Sequence, residues 1–225
     1  MKKLLVGGII ALVLMMAAWY YGVVARQVGE VHQVTRLPWQ IERAPDGEIT
    51  VFDITLGQTT VAEVISLWGV EPDLGLFEER DGERRIEAYF EKIRLGVLNA
   101  NIILHLSASA EQHAELSASG LNPKPQPSGA RKYGITEQDR PSVEAMTFTE
   151  LTYIPQAQFE PEIVRERFGE PTESHALDAE RTLWLYPNKG LAVVLDTEKR
   201  EILHYALPDR FATLRDRLGA ATPTP

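Results

Sequence analysis

The sequence predicts an α+β fold: an N-terminal transmembrane helix followed by two small helix-plus-antiparallel-sheet modules. Three observations predict it. An uncharged apolar run spans residues 4–25. A helix-like stretch ending in aromatic-glycine, followed closely by proline, occurs twice. After each, short runs of alternating apolar and polar residues are separated by turn-forming residues.

The first element is the apolar run. Lys2 and Lys3 precede it, Trp19, Tyr20 and Tyr21 lie near its far end, and Arg26 closes it. At 1.5 Å per residue a helix of this length spans roughly 33 Å, enough for a hydrocarbon core of about 30 Å, and longer than the apolar part of a cleaved signal peptide. Residues 1–25 are therefore expected to be a signal anchor. The leading lysines place its start in the cytoplasm and the bulk of the chain in the periplasm, on the outer side of a bacterial inner membrane. Val23-Val24-Ala25 leaves open cleavage after Ala25 and release of a secreted protein. Residues 26–37 are polar and read as a spacer.

Residues 38–155 are expected to form the first module. Trp39 and Ile41 alternate with polar residues, Pro45-Asp46-Gly47 supplies a turn, and Ile49, Val51 and Phe52 continue as the second arm of a hairpin. Thr60 and Glu63 have the spacing of a capping box, Val61, Val64, Ile65 and Trp68 mark one buried helical face, and Gly69 ends the helix. Residues 71–82 read as an acidic, turn-rich connection. Strands are expected at 86–90 and 99–106, and a short Ala/Ser-rich helix over 107–119, capped by Ser109 with Gln112. Prolines 123, 125 and 127 alternate through the next stretch, so residues 120–134 are expected to form a mobile inserted loop. Residues 143–154 resume strand character.

Residues 156–219 are expected to form the second module. Pro161 starts a helix bearing Ile163, Val164 and Phe168, which Gly169 ends before Pro171. Strands over 182–186, 191–195 and 201–206 form a meander. Asp209 then caps a last helix carrying Phe211, Leu214 and Leu218, and residues 220–225 read as a disordered tail. Gly69 and Gly169 stand 100 residues apart, and Val64 and Trp68 align with Val164 and Phe168 at that spacing. On these residues, with Leu56-Gly57-Gln58-Thr59-Thr60 ahead of the first helix and Trp184 after the second, the sequence resembles the BamE/SmpA family. It is also similar to the tandem module of the β-lactamase inhibitory protein. The resemblance implies a non-catalytic role in outer-membrane assembly or in binding another protein through the sheet. The chain departs from both: it has no cysteine, hence neither a lipid-bearing cysteine nor a disulfide.

Composition narrows the function. The chain carries 23 Lys+Arg against 32 Asp+Glu, a net charge of −9, which disfavours nucleic acid as a partner. The histidines 32, 105, 113, 175 and 204 have no paired spacing on a helix, no nucleophile elbow or phosphate loop is present, and the acidic run at 78–83 is interleaved with arginines. No catalytic, metal or cofactor residue is assigned and no cofactor is expected. His105, His204 and His113 read as ordinary strand or helix-surface residues. The aromatics Trp39, Tyr89, Trp184, Tyr186 and Tyr205 fall in strands and are the candidate protein-binding surface. The expected function is recognition or scaffolding of another cell-envelope protein. The alternatives are a periplasmic hydrolase with a dispersed site and a secreted enzyme inhibitor.

Overall fold

The computed structural model describes residues 36–96 and 98–220. The expected anchor, most of the expected spacer and most of the expected tail lie outside the described residues. Among the described residues no helix is long and apolar enough to cross a membrane.

The described chain is predominantly β, which corrects the expected α+β class: its five helices pack on one extended antiparallel sheet. A small antiparallel sheet of β1 (Glu42–Arg43), β2 (Ile49–Val51) and β3 (Ile54–Thr55) opens it. Then come α1 (Val61–Trp68), β4 (Asp73–Glu78), β5 (Arg84–Leu95), β6 (Leu98–Leu106), α2 (Ala110–Ser119), β7 (Leu121–Pro125), β8 (Arg131–Gly134), α3 (Arg140–Glu144) and β9 (Phe148–Pro155). The C-terminal part adds α4 (Pro161–Phe168), β10 (Glu173–Ala176), β11 (Arg181–Tyr186), β12 (Leu191–Asp196), β13 (Ile202–Ala206) and α5 (Pro208–Ala220).

The expectation of two separate modules is corrected by the sheet. Strands β4 to β13 form one ten-stranded antiparallel sheet in the order β10-β11-β12-β13-β9-β6-β5-β4-β8-β7. The join is β9 against β13, where Tyr153, Thr152, Leu151 and Glu150 stand opposite Leu203, His204, Tyr205 and Ala206. One core runs across this join: Phe90, Ile102, Leu151, Tyr153, Leu203, Tyr205 and Val193 belong to a single buried cluster.

Local chemistry explains the elements. Thr60 and Glu63 form the reciprocal capping box of α1, and Gly69 closes that helix at φ 64°. Ser109 and Gln112 do the same at the start of α2. Gly190, at φ 58°, admits no side chain: a Cβ there would stand 2.5 Å from the carbonyl oxygen of Ala206 and 2.1 Å from Cδ1 of Ile49.

Three segments differ from expectation. Residues 73–78 are strand β4, whose Leu74 and Leu76 are buried although acidic residues and Gly75 disguise them. The proline-rich stretch is ordered: β7 and β8 pair as a hairpin, and β8 adds to β4. Strand β10, Glu-Ser-His-Ala and exposed at every residue, had no hydrophobic signal to betray it.

The sheet has two unlike faces. Helices α1 to α4 place Val61, Val64, Trp68, Leu116, Val143, Val164 and Phe168 in the large core on one face. On the other face, among the described residues, only α5 packs, setting Phe211 and Leu214 over Leu183, Leu185, Ala192, Val194 and Ala206. From β4 to β9 that second face has no helix of the described chain packed into a core upon it.

Candidate protein-binding face

The period of two along each strand decides which side chains reach the open face. In β5, Ile86, Ala88 and Phe90 enter the core, which turns Arg85, Glu87 and Tyr89 the other way. In β6 the buried Ala100, Ile102 and Leu104 leave Asn101, Ile103 and His105 on the open side. In β9 and β13, Leu151, Tyr153, Leu203 and Tyr205 are core, and Glu150, Thr152, Ile154, Ile202 and His204 face outward.

Cross-strand register brings the polar members together. Glu87 stands opposite His105, His105 opposite Glu150, and Thr152 opposite His204. Thr152 Oγ1 lies 3.1 Å from His105 Nε2 and 3.1 Å from His204 Nδ1. The two hydrogen bonds are compatible when His204 Nδ1–H donates to Thr152 and the Thr152 hydroxyl donates to His105 Nε2; His105 Nδ1–H then faces Glu87 Oε1 at 3.6 Å, beyond hydrogen-bond distance. Arg85 Nε donates to Glu87 at 2.6 Å and its guanidinium also pairs with Glu79. Arg217, from α5, pairs with Glu150.

These contacts fix the protonation of the row. Burial, reinforced by the positive charges of Arg217 and Arg85 and by His204, pulls His105 down to about 3. Burial and Arg217 pull His204 down to about 3. Both imidazoles are neutral at physiological pH, and the carboxylates beside them are held by arginines. Charge on this part of the face is internally paired.

Apolar groups flank the polar row. Tyr89, Ile103, Ile154 and Ile202 are partly exposed. Val194 stands opposite Ile202, and with Ile154 they floor a groove of about 860 Å³ whose rim mixes Arg181, Lys199 and Arg200 with Asp178, Glu180, Asp196 and Glu198. At the far end Phe77 lies between Arg85 and Lys132, each 5.6 Å from its ring centre.

Of the five aromatics proposed from sequence, only Tyr89 lies on this face. Trp184, Tyr186 and Tyr205 are 5%, 3% and 0% exposed, because they take the core-facing positions of β11 and β13. Trp39 packs against the same core beneath the Arg167 guanidinium, 4.8 Å from its ring. His105, His204, Thr152 and Ile103, none of them a candidate binding residue from sequence, make up the centre of the face instead. The available signal was their alternation with buried neighbours; the register that unites them was not readable locally.

Comparison with protein-family models, with curated proteins and with solved structures finds no match to this chain.

Proposed function

We propose that the chain is a non-catalytic, membrane-anchored periplasmic protein that recognises or scaffolds another cell-envelope protein. The observation that carries this reading is the open sheet face between β4 and β13. It sets partly exposed Tyr89, Ile103, Ile154 and Ile202 around a polar row whose members already hold one another in place. A surface of this kind loses little side-chain freedom on binding and carries few unpaired charges to desolvate. The apolar run over 4–25 supports the anchor, and the likeness to the BamE/SmpA phrase around Trp68-Gly69 and Phe168-Gly169 supports a binding role.

The test is capture from detergent-solubilised envelopes with the full chain as bait, comparing wild type with Ile103→Arg and Tyr89→Glu. A partner retained by wild type and lost by both variants, with unchanged melting temperatures, is the expected result. Equal capture by all three places recognition elsewhere.

A hydrolytic reading is favoured by one arrangement, Thr152 beside His105 with Glu87 behind it. It is the weaker reading. Thr152 is 6% exposed, Glu87 lies beyond hydrogen-bond distance of His105, and a second imidazole already engages the hydroxyl. Labelling of Thr152 by a fluorophosphonate reagent, absent in His105→Ala, would establish that reading over binding.

A further inference from the structure

A ten-stranded open sheet has two edges, and here they are built differently. The hydrogen bond from Gln126 N to Ala130 O continues the ladder of β7 and β8, in which Lys124 stands opposite Lys132. Residues 124 and 126 therefore turn their backbone groups inward, and 123 and 125 turn theirs outward. Both outward positions are proline, so this edge offers no N–H at either of them. The register shift between Leu121 and Lys124 twists it further from a template.

Strand β10 has none of these guards. Leu177 N donates to Arg181 O, and Thr197 N to Glu180 O, which fixes the alternation across β10, β11 and β12. Glu173 and His175 address β11, whereas Ser174 and Ala176 turn their N–H and C=O groups away from the sheet. All four residues are exposed, and within 173–176 the strand contains no proline, lysine or register shift; just before it Thr172 N also bonds inward, to Leu185 O. Its exposed side chains are self-complementary. Glu173 and His175 share one face of the strand, with His175 Nε2 at 3.1 Å from Glu173 Oε2.

We infer that β10 is a docking edge for the β10 of a second copy of this chain, paired antiparallel about a two-fold axis at Ser174. In that register Ser174 exchanges both backbone hydrogen bonds with its symmetry mate, and Ala176 N–H meets the carbonyl of Thr172. Glu173 faces His175 of the other copy, twice, joining two Glu–His pairs into a four-membered cluster. The alternative two-fold, centred on His175, sets two imidazoles against each other and loses that match. Two-fold pairing of like elements is the commonest route to a symmetric dimer. A four-residue strand pair buries less than the roughly 1,000 Å² of a stable interface, so the association is weak and concentration-dependent. It uses neither the open face nor its partner, and stands or falls separately from them.

The chain has no cysteine, so a single introduced one reports its own neighbour. Across a two-fold at Ser174, the two residues 174 approach to about 5.5 Å between Cα atoms, within disulfide reach, whereas the two residues 176 stand about 14 Å apart. The full-length chain carrying Ser174→Cys is expected to form a covalent dimer on mild oxidation at high protein concentration, and Ala176→Cys is expected to stay monomeric. Ser174→Pro, which removes one outward donor, is expected to keep the native circular-dichroism spectrum and lose the concentration-dependent mass seen for wild type in sedimentation equilibrium. A wild-type chain that remains monomeric at every concentration overturns the inference. Equal cross-linking of Ser174→Cys and Ala176→Cys, or wild-type association in Ser174→Pro, does the same.

Discussion

The Phe52 ring stacks on Tyr153 with centroids 5.1 Å apart, although Phe52 sits in the left-handed region at φ 55°. With Asp53 at φ 63° it forms the two-residue turn between β2 and β3, a turn that favours Asn-Gly or Asp-Gly. Strain of about 1 kcal/mol or more at a bulky residue persists because the ring is fully buried between Tyr153 and Tyr205. Phe52→Gly relieves the backbone and empties the site; the net loss is expected to be about 2–4 kcal/mol in urea denaturation. Asp53→Gly, which relieves backbone strain but removes a carboxylate paired with Arg36, is expected to stay within about 1 kcal/mol of wild type.

Acid should weaken the fold through the two imidazoles beside Thr152. Both are held down to about 3, so between about pH 6.5 and 3 the unfolded chain binds protons that the folded chain refuses. Their contribution is intact above pH 6.5 and is lost as pH falls through that window, by about 2 kcal/mol per histidine between pH 7 and 4.5. Denaturation curves of wild type and His204→Gln at those two pH values test this. The variant is expected to lose distinctly less stability on acidification, and parallel losses would refute the assignment.

Glu201 has the opposite sign. Its side chain is buried, Oε1 has no hydrogen-bond partner, and burial raises its pKa. Above the ordinary carboxylate range the unfolded chain releases this proton more readily than the folded one, so stability falls as pH rises through the folded value. Glu201→Gln is expected to melt higher than wild type at pH 7.5 and to converge with it at pH 4. A variant less stable at pH 7.5 would show that the carboxylate is needed in its charged form.

The prolines of β7 are expected to act against aggregation rather than for stability. Pro123→Val with Pro125→Val restores two outward donors and leaves the inward ladder to β8 untouched. Chemical stability should stay within about 1 kcal/mol, while light scattering at high concentration should rise well above wild type. No rise would mean that the bulge between Leu121 and Lys124 guards the edge unaided.

What the sequence disclosed follows the range of the interactions that write it. The capping boxes at Thr60 and Ser109, the glycine end of α1, and the meander β11 to β13 are local, and each reads directly from residue spacing. The proline alternation was legible as a barrier to helix. Its other meaning, a strand whose missing donors all fall on the solvent side, depends on a partner strand that local pattern does not name. The site was hidden for a similar reason. His105, Thr152 and His204 come from three strands separated by 47 and 52 residues, and only the pairing of β6, β9 and β13 makes them neighbours. The aromatics of β11 and β13 looked equally able to face either way, and the packing of Phe168 on Tyr186 and of Phe52 on Tyr205 turned them inward.

The place of β9 between β6 and β13 bears on how the chain is made. Strand β6, with Ile102, Ile103, Leu104 and Leu106 among its nine residues, is complete long before β9 exists, because residues 107–147 must be synthesised between them. Until then its second edge is an open, apolar template of the kind that recruits other chains. Fragments ending between 107 and 147 should therefore precipitate or be degraded, and in fragments ending between 155 and 201 the exposed edge passes to β9, so solubility should return only when β13 arrives. Emergence of Phe148–Pro155 covers the edge of β6 and hands the exposed position to β9, which Ile202–Ala206 closes last.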